Sequence, residues 1–209
     1  MNNIDKEIYE GFDPMPLDMH GWNGDSSYFG FLIDELKPKN IVEVGSWKGQ
    51  SSITMAKKCK LINLSTTIYC IDTWLGATEF WCSMKQSPER SLMQKHGYPQ
   101  VYYQFLSNVI HSSVKDYILP LPMPSSIGWR YCRFHEIEPE MIYIDASHEK
   151  GDVIADMTNY WPLLKIGGVM FGDDFNRSWP GVVHDVNLFG RRNKIKINKN
   201  KNFWSIRKE

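Results

Sequence analysis

The chain has 209 residues, with 24 Lys and Arg against 24 Asp and Glu and 42% hydrophobic side chains. That suits one α/β domain with a full core, and the balanced charge argues against nucleic acid as the main partner. The longest apolar runs fall short of the ~18 residues of a membrane span, the polar start Met1-Asn2-Asn3-Ile4-Asp5 is unlike a signal peptide, and Cys59, Cys70, Cys82 and Cys132 are scattered without a Cys-x-x-Cys pair, so reduced thiols in a cytoplasmic protein are expected.

Residues 1 to 24 carry Gly11, Pro14, Pro16, Gly21 and Gly24, with Phe12, Met15, Met19 and Trp22 between them. The segment is too apolar for a disordered tail and too broken for a long helix. It is expected to be a strap, either a lid that folds over a ligand cleft or a segment packed elsewhere on the core. Asp25 or Ser26 then caps a helix with Phe29, Leu32, Ile33 and Leu36 inward, ended by Pro38.

Ile41 to Val44 is a short apolar strand broken by one acid, Glu43. Gly45 and Gly49 follow at once, and residues 50 to 58 read as a helix. A strand, a glycine turn and a helix open a parallel α/β unit. Glycines let backbone N–H groups approach a ligand, and the helix aims its positive end at the same place. A dinucleotide site asks for G-x-G-x-x-G, but Trp47 stands at the middle position and the spacing is G-x-x-x-G. The Glu43 carboxylate repels a pyrophosphate and suits an ammonium or sulfonium, both of which S-adenosylmethionine carries. The stretch resembles the first motif of class I S-adenosylmethionine-dependent methyltransferases, in its Glu-x-Gly-Ser-x-x-Gly variant. A tight turn with no ligand is the other reading.

Residues 67 to 72 form the second strand, closed by Asp72 at the end where open α/β sheets bind ligands. The resemblance implies that Asp72 accepts the ribose hydroxyls; a loop or capping aspartate is the alternative. Trp74 either covers the cofactor or packs. The resemblance as a whole implies cofactor contacts at Glu43, Gly45, Ser46, Gly49, Ser51, Asp72, Trp74, Ser125, Ser126 and Asp145. Residues 75 to 98 form an insert with Phe80, Trp81, Met84, Met93, His96 and Tyr98, expected beside the acceptor pocket. A helix is expected over residues 100 to 113, with Val101, Phe105, Leu106, Val109 and Ile110 inward.

The next strand, residues 118 to 124, has proline at 120, 122 and 124. Only an edge strand tolerates a missing N–H at every second position. In the sheet of the class I methyltransferases, of order 3-2-1-4-5-7-6, the third strand is an edge. Ser125 and Ser126 follow, where the resemblance implies adenine contact and helix capping is the alternative. Helices are then expected at 126 to 137, 149 to 164 and 181 to 190, and strands at 141 to 145 and 169 to 174. Residues 195 to 197 and 203 to 206 close the chain as an antiparallel hairpin. The expected fold is a Rossmann-like three-layer αβα sandwich with a seven-stranded, mostly parallel sheet, as one domain over residues 1 to 209.

Asp145 ends the fourth strand, and Asp173 and Asp174 end the fifth. Parallel neighbours lie about 4.8 Å apart, so these ends converge. Three carboxylates together repel one another unless neutralised, and a hard divalent cation such as Mg2+ does this. No pattern of histidine and cysteine ligands is evident, which disfavours zinc. The stretches Tyr143-Ile144-Asp145-Ala146-Ser147-His148, Trp161-Pro162-Leu163-Leu164-Lys165 with Gly167-Gly168, Gly172-Asp173-Asp174 and Trp179-Pro180-Gly181-Val182 resemble one branch of the family. This branch comprises metal-dependent small-molecule O-methyltransferases of the macrocin type and their cephalosporin-hydroxylase-like relatives.

That resemblance implies Mg2+ on Asp145, Asp173 and Asp174, with His148 as general base and Asp145 beside it in catalysis. It implies a small-molecule or saccharide acceptor and leaves a homo-oligomer open. A neutral imidazole is required of the base, and His148 is expected near a helix start, which favours neutrality while the acids oppose it. A cephalosporin-hydroxylase-like activity on the same scaffold is also open, and two further rivals remain. One is an NAD(P)-dependent oxidoreductase on a related sheet; the other is a silent S-adenosylmethionine-binding module.

Overall fold

The computed structural model describes residues 7–82 and 90–209. Residues 1 to 6 and Met84 of the expected insert lie outside the described residues. In chain order the elements are α1 (Ser27–Leu36), β1 (Asn40–Val44), α2 (Gln50–Leu61), β2 (Thr67–Asp72), α3 (Thr78–Cys82), α4 (Val101–His111), β3 (Ile118–Pro122), α5 (Ser125–Phe134), β4 (Met141–Ile144), α6 (Asp152–Tyr160), β5 (Val169–Gly172), α7 (Pro180–Asn193), β6 (Asn198–Asn200) and β7 (Phe203–Arg207).

The strands form one sheet in the order β3-β2-β1-β4-β5-β7-β6, parallel except where β7 runs against β5 and β6. This is the expected sheet, and the proline-bearing β3 is its edge. The inner strands are apolar on both faces, as a sheet covered on both sides requires. Their side chains alternate between two cores. Ile41, Met141, Tyr143 and Phe171 pack with α1, α2 and α4, whereas Val42, Ile142 and Met170 pack with residues of α6 and α7. None of the described helices is long and apolar enough to cross a membrane.

Register carries the design of the site. Val44 pairs with Ile71 on one side and Ile144 on the other, and Ile144 pairs with Gly172. One residue further on, Asp72, Gly45, Asp145 and Asp173 stand in a row across the sheet. Gly45 has φ 88°, and a Cβ there would lie 2.1 Å from the Asp145 carbonyl oxygen. Only glycine lets β1 turn away at the level where β4 ends.

Two element boundaries differ from the sequence expectation. The helix expected at 149 to 164 begins only at Asp152 and gives way to a 3-10 turn at Trp161–Leu163. Gly151, at φ 104°, breaks the chain before it, and Pro162 ends the α ladder after it. His148 therefore sits in a loop, not on a helix start. The outer hairpin strand is the exposed Asn198–Asn200, not 195 to 197. Ile195 instead closes α7 by donating its N–H to the Gly190 carbonyl, and with Ile197 it packs on the helix layer. A short edge strand with polar and charged side chains is protected against pairing with other chains.

The strap is fastened by the polar stripe of α4. Gln104, Ser107, Asn108 and His111 recur at helical spacing, and each bonds the backbone of residues 15 to 18. Asn108 is the centre of this fastening. Its amide accepts from the Asp18 N–H and donates to the Asp18 and Lys48 carbonyls, with no exposed surface. Replacing Asn108 by Ala should cost about 2 kcal/mol in urea unfolding, since three backbone groups lose their partner. The same variant should exchange the Asp18 amide faster and be cut earlier by protease in the strap.

Candidate active site

The row of strand ends opens into a cavity of about 530 Å3, roofed by residues 21 to 24 of the strap and by α3. On one side lies the glycine turn. Glu43 is fully buried beneath it and is not among the residues lining the cavity. Its carboxylate accepts from the Ser46 hydroxyl at 2.6 Å and from the Ser51 hydroxyl, both of which do line the cavity. Burial pushes the Glu43 carboxyl up, against the pull of these hydroxyls.

Asp72 clamps the same turn. One oxygen accepts the Ser46 and Trp47 N–H groups, each at 2.9 Å, and the other accepts the Trp74 N–H at 2.7 Å. Burial raises its pKa, and the three N–H donors oppose the shift. The clamp holds Trp47 at φ 47°, a left-handed conformation that a bulky residue adopts at a cost of ~1–2 kcal/mol. Asp72 also faces the cavity.

Besides Glu43, three expected cofactor contacts lie outside the cavity lining. Trp74 is 2% exposed and packs against Tyr102 and Phe105, its indole N–H donating to the Trp47 carbonyl. It belongs to the core, where a large ring buries most surface. Gly49 caps α2 at φ 88°, with Phe105 3.0 Å from where a Cβ would stand. Ser126 is exposed and outside the cavity, while Ser125 lines it. Neither serine caps α5, whose N-cap is Pro124.

The acidic side also departs from expectation. Asp145, His148 and Asp174 each present one ligand atom within 4.8 Å of the others. Asp173 stands apart from this group. It is 5% exposed, and its carboxylate accepts the Asn23 amide at 2.8 Å and the Asp174 N–H at 2.7 Å. The aspartate trio is thus a pair with a histidine, and Asp173 ties the strap to the fifth strand. Asp174 takes φ 59°, which turns its side chain towards β4 and His148. Aspartate tolerates this region better than most residues.

His148 has Nε2 at 2.8 Å from Asp174 and Nδ1 at 3.3 Å from Glu79 on α3, and its ring stacks on Trp179 at 4.0 Å. Neither carboxylate contact is aligned as a hydrogen bond, so both act as ion pairs. Burial lowers the His148 pKa, but Asp174, Glu79 and Asp145 outweigh it and hold the value at about 10. Asp145 is pushed up to about 7 by burial and by the charges of Asp174 and Asp173, opposed by His148 and by the Tyr143 hydroxyl, which donates to it at 2.8 Å. The acids win over any preference for a neutral imidazole.

Glu79, Asn23, Gln50 and Tyr143 also belong to the site, and the sequence reading passed over all four. Tyr143 carried a signal, because residues two apart on a strand share a face. Gln50, in the first turn of α2, has a buried side-chain oxygen at the cavity wall with no hydrogen-bond partner among the described residues. Glu79 and Asn23 reach the site only through tertiary folding.

Comparison with known proteins agrees with this geometry. A family model described as a methyltransferase domain matches residues 42–175. No curated protein matches the sequence. Among solved structures, the O-methyltransferase from Bacillus cereus in complex with SAH superposes with a TM-score of 0.61 at 15% identity, over 98% of this chain and 87% of that one. The SAH-bound Podospora anserina methyltransferase PaMTH1 gives 0.63 at 16% identity, over 100% and 89%. The O-methyltransferase NovP gives 0.62 at 14% identity, over 87% and 78%. The chain belongs to the S-adenosylmethionine-dependent methyltransferase family that the matching domain defines.

The charge balance around His148 is open to direct measurement. In protein stripped of metal with EDTA, its ring resonances should titrate near pH 10 rather than 6.5. The folded value lies above the unfolded one, so this proton stabilises the fold fully below pH 6.5 and its contribution is lost as pH rises towards 10. Denaturation of wild type and His148→Asn should therefore converge with rising pH across that window.

Proposed function

We propose that this chain transfers the methyl group of S-adenosylmethionine to a hydroxyl of a small molecule or saccharide, with Mg2+ or another hard divalent cation at Asp145 and Asp174 and His148 as base. The observation that carries this reading is that the clamped glycine turn and the Asp145–His148–Asp174 cluster open into one cavity.

The residues present fit both groups. On the donor side, Ser46, Ser51, Gln50 and Asp72 offer acceptor oxygens, and the Gln50 oxygen has no hydrogen-bond partner among the described residues. Asp72 would take the ribose hydroxyls and Ser125 the adenine edge. Glu43 acts from beneath, fixing the Ser46 and Ser51 hydroxyls. On the acceptor side, two carboxylates and an imidazole converge, and the Asp145 carboxyl is held abnormally high by its neighbours' charge. The two carboxylates suit a hard divalent cation with oxygen ligands, and the imidazole beside them is left as the base.

When bound, the donor supplies an electrophilic methyl on a sulfonium, and the cation lowers the pKa of the acceptor hydroxyl and fixes its oxygen. The chain's residues do the rest. Asp145 and Asp174 orient the acceptor end of the cavity. Offsetting their charge removes the interactions that keep the proton on His148, so the imidazole becomes able to accept one. Trp179 holds the ring flat, and Glu79 holds its far nitrogen. Trp22 stacks on Phe80, and Trp47 packs against both at a tilt, which gives the cavity an apolar wall against water. The strap closes over this wall as a lid.

With S-adenosylmethionine and a panel of sugars, polyols and catechols, excess EDTA should abolish turnover and Mg2+ restore it. Undiminished turnover in EDTA would remove the cation from the reaction. His148→Ala should lower kcat ~10²–10⁴-fold with donor affinity intact. Asp72→Ala should weaken donor binding in calorimetry at least ~10-fold and cost ~1–3 kcal/mol of stability, as three N–H groups lose their acceptor.

A further inference from the structure

A second cavity, of about 490 Å3, lies on the other side of the loop between β5 and α7. Its walls carry Arg177, His184, Arg191 and Lys199, and among the described lining residues there is no carboxylate. In a chain of zero formal charge this is a marked local excess of cations. Asp185, next to His184 in the chain, is 1% exposed and committed elsewhere. It accepts the N–H groups of Gly151 and Ile154 and pairs with His184 Nδ1 at 2.9 Å. That contact leaves Nε2 as the His184 nitrogen available to a ligand. Lys199 has its ammonium 5.6 Å from the Phe175 ring at the same cavity, and Asn176 and Asn187 add amides.

We propose that this cavity binds a phosphate-bearing small organic anion between Arg177, Arg191 and Lys199. Guanidinium and ammonium groups are donors only, and several together match the many acceptor oxygens of a phosphate or diphosphate better than a single carboxylate. The volume exceeds that of a phosphate several-fold and leaves room for the organic part.

The site is joined to the first cavity by one short loop. Asp174 and Trp179 face the methyl-transfer side, whereas Phe175, Asn176, Arg177 and Pro180 face the second cavity. The loop is braced internally, with the Asn176 N–H on the Asp174 carbonyl and the Trp179 N–H on the Asn176 carbonyl. The anion is either the phosphorylated tail of the acceptor or a separate effector; the chemistry of the pocket is common to both.

The test is titration calorimetry of the whole protein, saturated with S-adenosylhomocysteine and held in EDTA, against inorganic pyrophosphate and ADP. Saturation keeps ADP out of the donor site, so failure of donor binding and failure of anion binding are read separately. Both probes should bind at one equivalent. Affinity should fall with added KCl and drop at least ~10-fold in the Arg191→Glu/Lys199→Glu variant, with S-adenosylhomocysteine affinity unchanged. If that variant does not fold, Arg177→Gln/Arg191→Gln takes its place. No saturable binding of either probe, or equal affinity in wild type and variant, overturns the proposal. In turnover assays, pyrophosphate that raises the acceptor KM alone marks an acceptor tail, and pyrophosphate that changes kcat marks an effector.

Discussion

The structure depends on four parallel strands ending level. Because Ile71, Val44, Ile144 and Gly172 are in register, the next residue of each strand reaches the same height. Those residues are Asp72, Gly45, Asp145 and Asp173. Three of them are acids and the fourth cannot carry a side chain, since a Cβ on Gly45 would strike the Asp145 carbonyl. A one-residue slip of any strand would send its acid to the other face and into a core. The apolar alternation that buries both faces of the sheet therefore also aims the carboxylates. Packing and chemistry are specified by the same periodicity.

Gathering acids at one edge has an electrostatic cost. Burial and mutual repulsion raise the carboxyls of Asp145 and Asp173, and burial raises those of Asp72 and Glu43. The fold meets this cost with nearby donors. Asp72 takes three N–H groups, Glu43 two hydroxyls, and Asp173 an amide and an N–H. Asp145 has one hydroxyl and a histidine at ion-pair range of its neighbour. It is the least compensated acid of the row and the one that the cluster with Asp174 and His148 surrounds. Positive charge in this cavity is therefore favoured on physical grounds, whether sulfonium, imidazolium or metal.

What was legible in the sequence followed from local rules. Alternation gave the strands, the prolines of β3 gave the edge, and an acid after each apolar run gave the candidate site. What was not legible depended on burial or on distance along the chain. Glu43 and Trp74 sit at the right positions in the sequence, yet one faces beneath the turn and the other into the core. Asp173 is next to Asp174 in the chain but turns to Asn23, a partner 150 residues away. The polar stripe of α4 is the bed of the strap, a role that no local rule shows because its partners lie about 90 residues away along the chain. The start of α6 was misplaced because Gly151 permits a left-handed residue that breaks the helix. The hairpin strand was misplaced because its isoleucines serve the helix layer rather than the sheet.

The strap connects these levels. Gly24 packs so closely on α2 that a Cβ would lie 2.8 Å from the Ser51 N–H group. Asn23 reaches Asp173, Trp22 stacks with Phe80, and Asp18 pairs with Lys48, which is 1% exposed and follows Trp47 in the turn. The segment thus touches the glycine turn, the acidic edge and α3 within a few residues. Any displacement of it moves the amide on Asp173 and the aromatic wall together. Its anchor on α4 lies behind, at residues 15 to 18, away from the part that faces the cavity. A segment fixed at its base and in contact with both halves of the site has the mechanical layout of a cover. Its base is held by polar contacts with α4.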